Sequence, residues 1–268
     1  MGKIKKDSLG DRQKQYEKVQ EHYLVPKMPF IIRVDGKAFH TYTRGFRKPF
    51  DDVMGSAMKR TMKSLCKDIP GAVFGYTQSD EITIICKYTD RIRSQAWFGG
   101  RVEKLISITA SKATKYFNKY FSEEVESQMM SIEDTKLLGV YIKKVGEAEF
   151  DSRVFNLPEW DCINNIIWRQ QDAIRNSIEA VGQANFSAKE LHKVNCEIIK
   201  EKLRTEKDID WETDFTRYQK YGAVCIKVIQ DKTSSTDDTY KRKTWEIDCF
   251  VVEHDRECFS KLTGLEED

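Results

Sequence analysis

The sequence predicts an α/β (α+β) fold: a ferredoxin-like β-α-β-β-α-β unit, then a helical C-terminal region with a β-hairpin. Three observations carry that reading. Short β-favouring runs alternate with segments of helical apolar spacing, in the order strand, helix, strand, strand, helix, strand up to Pro158. Beyond Pro158, two helical segments precede two further β-like runs. At 268 residues and 40% hydrophobic content the chain can bury a sizeable core, and no internal repeat or low-complexity tract interrupts it. A soft boundary near residue 158 divides the chain into 1–158, the mixed unit with its N-terminal helix, and 159–268, the helical and hairpin region.

Residues 7–23 are polar with sparse apolar positions and read as a surface helix stopped by Pro26. Residues 30–34 (FIIRV) form a strand that runs into the turn Asp35-Gly36. Across 51–66, Val53, Met54, Ala57, Met58, Met62 and Leu65 repeat at helical spacing, with Asp51 and Asp52 at the favourable N-terminal end; Pro70-Gly71 breaks this helix. Runs 72–76 and 82–88 make a hairpin whose tip carries Asp80 and Glu81. A second helix covers about 94–121, an acidic mixed stretch covers 122–146, and 148–157 is a strand. Helices at about 161–181 and 188–203 follow, then strands 222–230 and 244–252 around a polar loop, 231–243.

Composition excludes several classes. No apolar run approaches the about 18–20 residues of a membrane span, and the N-terminus lacks the apolar core of a signal peptide. The seven cysteines are scattered, with no C-x-x-C pair, and read as reduced structural thiols in a cytoplasmic protein. No GxxxxGK(S/T) or GxGxxG loop is present, so P-loop and dinucleotide-binding readings find no support.

The carboxylates are more informative. If the first strand lies beside the hairpin, Asp35 and the pair Asp80-Glu81 converge on one sheet edge. Carboxylates so grouped repel unless a cation neutralises them, and oxygen-only ligands with phosphate co-ligands suit Mg²⁺. Two-metal phosphoryl transfer needs acids placed this way. Asp-Gly after a strand is also a common turn, so the acids alone leave a solvated-turn reading open. Arg101 and Lys104 share a helix face, and Lys48 lies in a cation-rich loop; these could meet phosphates.

Five blocks then carry a resemblance. Residues 33–40 (RVDGKAFH), Lys48-Pro49, residues 75–81 (GYTQSDE), residues 150–154 (FDSRV), and Trp168-Arg169-Gln170 with Asp172 resemble, in order, the signatures of the tRNA(His) guanylyltransferase family. The resemblance implies a polymerase-like palm that extends RNA in the 3′-5′ direction. ATP or GTP activates a tRNA 5′-monophosphate, and the 3′-hydroxyl of an incoming nucleoside triphosphate then attacks it. It implies catalytic Asp35, Asp80 and Glu81, with two Mg²⁺ ions held by Asp35, Asp80 and the Gly36 carbonyl. Gly36, Lys37, Ala38, Phe39, His40 and Ser79 would line the nucleotide pocket; Lys48, Arg101 and Lys104 would hold triphosphates. Arg153, Arg169, Arg175 and Asn176 would contact RNA. The family also implies a homo-oligomer, a tetramer.

One departure matters. Members dedicated to tRNA(His) carry His-Ile-Asn-Asn just after the Trp-Arg-Gln block, where this chain has Ile174, Arg175, Asn176 and Ser177. Loss of the histidine resembles the Thg1-like branch, which repairs truncated tRNA 5′ ends by templated addition. The alternatives are guanylyl addition restricted to tRNA(His), a palm-fold nucleotide cyclase, and a non-catalytic RNA-binding protein. The net charge of +2 conceals segments: residues 1–50 carry +7 and 91–120 carry +6, against −6 over 121–161 and −4 over 221–268. A local RNA-facing surface fits that distribution, and its binding should weaken as salt rises.

Overall fold

A computed structural model describes residues 8–88, 93–129, 133–233, 239–254 and 256–265. In chain order the elements are α1 (Leu9–Lys18), β1 (Phe30–Gly36), α2 (Phe39–Tyr42), α3 (Asp52–Asp68), β2 (Ala72–Gln78), β3 (Glu81–Cys86), α4 (Val102–Gln128), α5 (Thr135–Lys144), β4 (Phe150–Asn156), α6 (Asp161–Asn185), α7 (Cys196–Lys207), α8 (Arg217–Tyr221), β5 (Ala223–Thr233), β6 (Thr239–Asp248) and α9 (Arg256–Thr263). The strands form one antiparallel sheet in the order β4-β1-β3-β2-β5-β6. The mixed α/β fold class is as the sequence predicts.

Period-two alternation splits the sheet's side chains between two cores. Ile32, Val34, Ile82 and Ile84 face α3 and α4, packing with Val53, Met58, Met62, Leu65, Leu105, Phe117 and Phe121. Ile31, Ile85, Phe74 and Tyr76 face the opposite way, onto Cys162, Ile163 and Ile166 of α6 and onto Phe259 of α9. The second half of α6 packs with α7 and Trp211 in a smaller cluster. Strands from either side of residue 158 share the sheet, because Gly75, Tyr76 and Thr77 of β2 pair with Cys225, Val224 and Ala223 of β5. Among the described residues, no helix is long and apolar enough to cross a membrane.

Several element boundaries differ from the sequence expectation, the helix expected at about 188–203 among them, which forms at Cys196–Lys207. The second long helix starts at Val102, because Phe98 and Gly99 hold positive φ (53° and 63°) and cannot continue a right-handed helix. It then runs on to Gln128, since Val125 extends the buried stripe of Phe117 and Phe121; α5 occupies much of the remaining acidic stretch. The region expected as a polar loop, 231–243, is strand at both ends, with Asp231↔Lys241 and Thr233↔Thr239 in register; residues 234–238 lie outside the described residues. Ladder hydrogen bonds come from the backbone and need no apolar side chains, so polar composition concealed this ribbon.

Candidate functional site

The C-terminal end of β1 meets the β2–β3 tip through a backbone bond: the Gly36 N–H donates to the Asp80 carbonyl at 3.1 Å. Thr77 closes the tip by donating its hydroxyl to the Glu81 carbonyl at 2.8 Å, and Ser79 takes a left-handed φ of 49°. Asp35 pairs in register with Glu81 on one side and Asp151 on the other. The Asp35 and Asp80 carboxylates thus lie within each other's field. Burial, then Asp35, pushes the Asp80 carboxyl above its ordinary range. Burial, then Asp151, does the same to Asp35. Arg153 is the nearest relief, but its Nη2 stands 3.8 Å from Asp35 Oδ2 and 3.8 Å from Asp151 Oδ1, beyond hydrogen-bond reach.

Beside this pair opens a cavity of ≈ 520 Å³. Gly36, Ala38, Phe39, His40, Lys48, Ser79 and Asp80 all line it, so the structure brings together most of the expected nucleotide residues. Gly36 is required: a Cβ there would sit 2.3 Å from the Phe39 ring, which is itself buried against Phe117 and Phe150. His40 is exposed and its Nε2 lies 3.0 Å from the Thr41 hydroxyl. Asp51 is already engaged, capping α3 at Met54 N (2.9 Å) and accepting from Arg47 N (3.0 Å) and the Tyr141 hydroxyl (2.5 Å). The exposed side chains of Arg47 and Lys48 remain available to an anion.

The cavity's other wall was not foreseen. It comes from α6 (Ala173, Asn176, Ser177, Ala180) and from Tyr218, Gln219 and Gly222. Gly55 and Gly222 permit the close approach: a Cβ on Gly55 would meet Tyr218 Cε1 at 2.7 Å, and one on Gly222 would meet the Thr77 carbonyl at 2.5 Å. Their faint signal in the sequence is glycine inside or just after a helix pattern. Asn176, named from the sequence as an RNA contact, lies at this wall. Ile174, which replaces the family's histidine, packs instead into the apolar cluster of Ile178, Val181 and Ile199.

Other expected residues lie elsewhere. Glu81 is buried and held bidentately by Arg169, Nε to Oε1 at 2.8 Å and Nη2 to Oε2 at 2.9 Å, with Arg33 Nε at 3.6 Å. Arg169, also buried, donates a further bond to Asp172 at 3.0 Å. Of the expected site residues, Glu81 and Arg169 thus meet each other in the interior, and neither lines the cavity. The reason is that Glu81, as the first residue of β3, faces α6, and Arg169 occupies the inner face of that helix. Arg175 is exposed and ion-paired with Asp172. The Lys37 ammonium points outward to Glu149 at 2.5 Å. Arg101 and Lys104 are also displaced. Thr114 of α4 accepts from Phe150 N, level with Gly36, which leaves Arg101 about 20 Å away along the helix. There Arg101 pairs with Glu21 (2.9 Å) and Lys104 lies over the Phe98 ring. Neither reaches the cavity of its own chain.

A family model described as Thg1, tRNAHis guanylyltransferase, matches residues 10–158, more than half the chain. The chain belongs to the tRNAHis guanylyltransferase family. It is a nucleotidyltransferase. A family relative, the probable tRNA(His) guanylyltransferase of Dictyostelium discoideum, is 25% identical over 88% of this chain and 88% of its own length. An uncharacterised protein of Acanthamoeba polyphaga mimivirus is 30% identical over 82% of this chain and 77% of its own. Among solved structures, a bacterial tRNA(His) guanylyltransferase-like protein in complex with ATP superposes with a TM-score of 0.78 at 37% identity, covering 96% of this chain and 99% of that one. The same description applies to a complex with GTP, at a TM-score of 0.76 and 35% identity over 97% and 100% of the two chains.

Among the described residues, no three His, Cys, Asp or Glu side chains gather into a ready metal cage. Asp35 and Asp80 offer two hard carboxylates whose mutual repulsion a divalent cation would relieve. That donor set fits Mg²⁺, which keeps several waters and takes substrate phosphates as co-ligands.

Proposed function

We propose that this family member adds nucleotides in the 3′-5′ direction to the 5′ end of tRNA, directed by the opposite strand, and so repairs truncated 5′ ends. One observation carries the reading: Asp80, whose carboxyl is held above its ordinary range by burial and by Asp35 beside it, lines the cavity, and the α6 wall opposite is built of small residues and Asn176. Where a dedicated tRNA(His) enzyme would present a histidine, Ile174 turns into the apolar cluster. A wall without that side chain supports acceptance of more than one tRNA. The likeness to proteins solved with ATP and with GTP supports nucleotides as substrates.

In this reading the segment 36–40 and Ser79 cradle the base and sugar, and Lys48 with Arg47 meets the triphosphate. Asp35, Asp80 and the Gly36 carbonyl would hold two Mg²⁺ ions. When bound, these would neutralise charge on the phosphates and lower the cost of forming the 3′-alkoxide. The first reaction joins the tRNA 5′-phosphate to the nucleoside monophosphate of ATP or GTP and releases pyrophosphate. The second joins that phosphate to the 3′-oxygen of the incoming triphosphate and releases the activating monophosphate. The chain supplies in-line positioning and electrostatic stabilisation, which carry most of the rate in phosphoryl transfer. Arg153, exposed beside Asp35, contacts the RNA 5′ end.

The enzyme works in the cytoplasm as a homo-oligomer, a tetramer by family likeness. In support, α1 buries no residue in its own chain and leaves Leu9 and Tyr16 exposed along it, with Val19 exposed at its C-terminal cap. The test is a 5′-truncated tRNA other than tRNA(His), incubated with all four triphosphates and then with each omitted in turn. Restoration that follows the opposite strand is expected. Addition of a single G to tRNA(His) alone would replace this reading with the tRNA(His)-restricted one, and a cyclic nucleotide formed without RNA would replace both.

A further inference from the structure

A second concave surface lies at the far end of α3, away from the cavity. There the edge strand β6 passes over the helix and encloses a groove of ≈ 490 Å³. Lys63, Lys67, Arg242 and Lys243 line it, against one lining carboxylate, Glu246. Glu246 is already engaged, accepting from Gln230 Nε2 at 2.9 Å and facing Lys63 Nζ at 3.6 Å. Among the described residues, Lys67, Arg242 and Lys243 have no carboxylate partner, and all three are exposed. The Thr244 hydroxyl oxygen, also on the lining residues, is buried without a hydrogen-bond partner. Trp245 is steadied by Lys227, whose ammonium lies 4.7 Å from the ring centroid and donates to the Ala72 carbonyl at 2.8 Å.

Uncompensated cations in a concavity concentrate a positive potential that recruits anions. Their layout distinguishes a strand of phosphates from a single one. Lys63 and Lys67 are one helical turn apart on one face of α3, while Arg242 and Lys243 run along the facing strand. Trp245, on the same lining, offers an apolar edge to a ribose or base, as surfaces that track a nucleic-acid backbone do. The same helix links the two sites: from Gly55 at the cavity to Lys67 is about 18 Å along α3, more than one bound nucleotide spans.

We propose that this groove is a second RNA-binding surface, gripping the backbone of the same tRNA whose 5′ end enters the cavity. It rests on the functional reading above. Its role is to position: the groove holds the body of the RNA so that the 5′ end is presented to Asp35 and Asp80, and it takes no part in the chemistry.

The test is the full chain carrying Lys67→Gln and Arg242→Gln, titrated with substrate tRNA over a range of salt. The dissociation constant should rise about tenfold at low salt, and the slope of log K against log salt should flatten by about two. KM for tRNA should rise with kcat unchanged, ATP and GTP binding should be unaffected, and the Lys67→Arg, Arg242→Lys variant should recover most of the affinity. A short 5′-phosphorylated hairpin that ends before the groove should be extended equally by both proteins. An unchanged salt slope, or an equal loss on the short hairpin, would overturn the proposal. So would an unchanged tRNA titration accompanied by weaker binding of polyglutamate, which would mark an acidic-peptide site. Failure of the unmodified protein to bind any tRNA while binding GTP would instead remove the functional reading itself.

Discussion

Asp80 and Glu81 are adjacent in sequence and opposite in circumstance. Glu81 is buried but fully compensated, with two charge-assisted bonds from Arg169 and a further guanidinium from Arg33 nearby. Asp80 lines the cavity with Asp35 beside it, and both carboxyls are held above their ordinary range by burial and like charge, from Asp35 on Asp80 and from Asp151 on Asp35. A carboxylate that folding has already neutralised belongs to the architecture. One that folding leaves in conflict is waiting for a cation or a substrate. The chain therefore places two chemically similar side chains in opposite environments within a single turn, one ion-paired in the interior and one at the cavity.

The most severe way to sharpen this contrast is to delete the unsatisfied acids. Asp35→Ala and Asp80→Ala should each cut nucleotide addition by at least about a hundredfold, the scale for losing a centre of transition-state charge stabilisation, while circular dichroism and melting show an intact fold. Activity retained in either would break the comparison. Arg169→Ala attacks the satisfied acid instead. It strands a buried carboxylate, which costs about 3–5 kcal/mol and should lower Tm by roughly 10 °C. Replacing both partners with Leu and Met should recover most of that stability and leave activity measurable. If the double variant folds but is dead, Glu81 takes part in chemistry after all.

Gly36→Ala should fall between these in stability. Its new methyl must displace the Phe39 ring, at about 1–3 kcal/mol, and nucleotide affinity should drop with it. Equilibrium denaturation and nucleotide titration would measure the two effects separately.

The smallest effect has the most telling sign. Because the folded-state carboxyls are raised, the native protein holds their protons more tightly than the unfolded chain does. The pair therefore costs stability above the raised pKa, and that cost fades as pH falls through it. Without divalent cations, Asp35→Asn should raise Tm at neutral pH and give little gain under acidic conditions. Asp35 is 40% exposed, so solvent screens the repulsion and the gain should stay below ~4 °C, the shift worth about 1 kcal/mol in a chain of this size.

Much of this was legible beforehand. The strand at 30–34, the hairpin with acids at its tip and the helix at 51–66 appear in the structure with small shifts of boundary, because their apolar periodicity reflects burial directly. Gly36, Ala38, Phe39, His40, Lys48 and Ser79 line the cavity together because a turn and a hairpin tip are local structures, which short-range chemistry specifies. What was missed depends on distance. Arg101 and Lys104 look like phosphate ligands by type, yet about 10 to 13 residues of helix carry them toward the opposite end of the sheet. Arg169 looks like an RNA contact until its burial against Glu81 is seen. The α6 wall and the close approach at Gly222 leave almost no trace, since each depends on elements brought together from remote parts of the chain.

By itself, then, the sequence determined the alternation of strands and helices, the identity of the acids at the strand ends, and, through five ordered blocks, the family. Periodicity and local turn chemistry record such features residue by residue. Only the tertiary structure decided which of two adjacent carboxylates meets the cavity. That choice depends on which face of β3 meets α6, and on a guanidinium 88 residues away that arrives only when the helix docks.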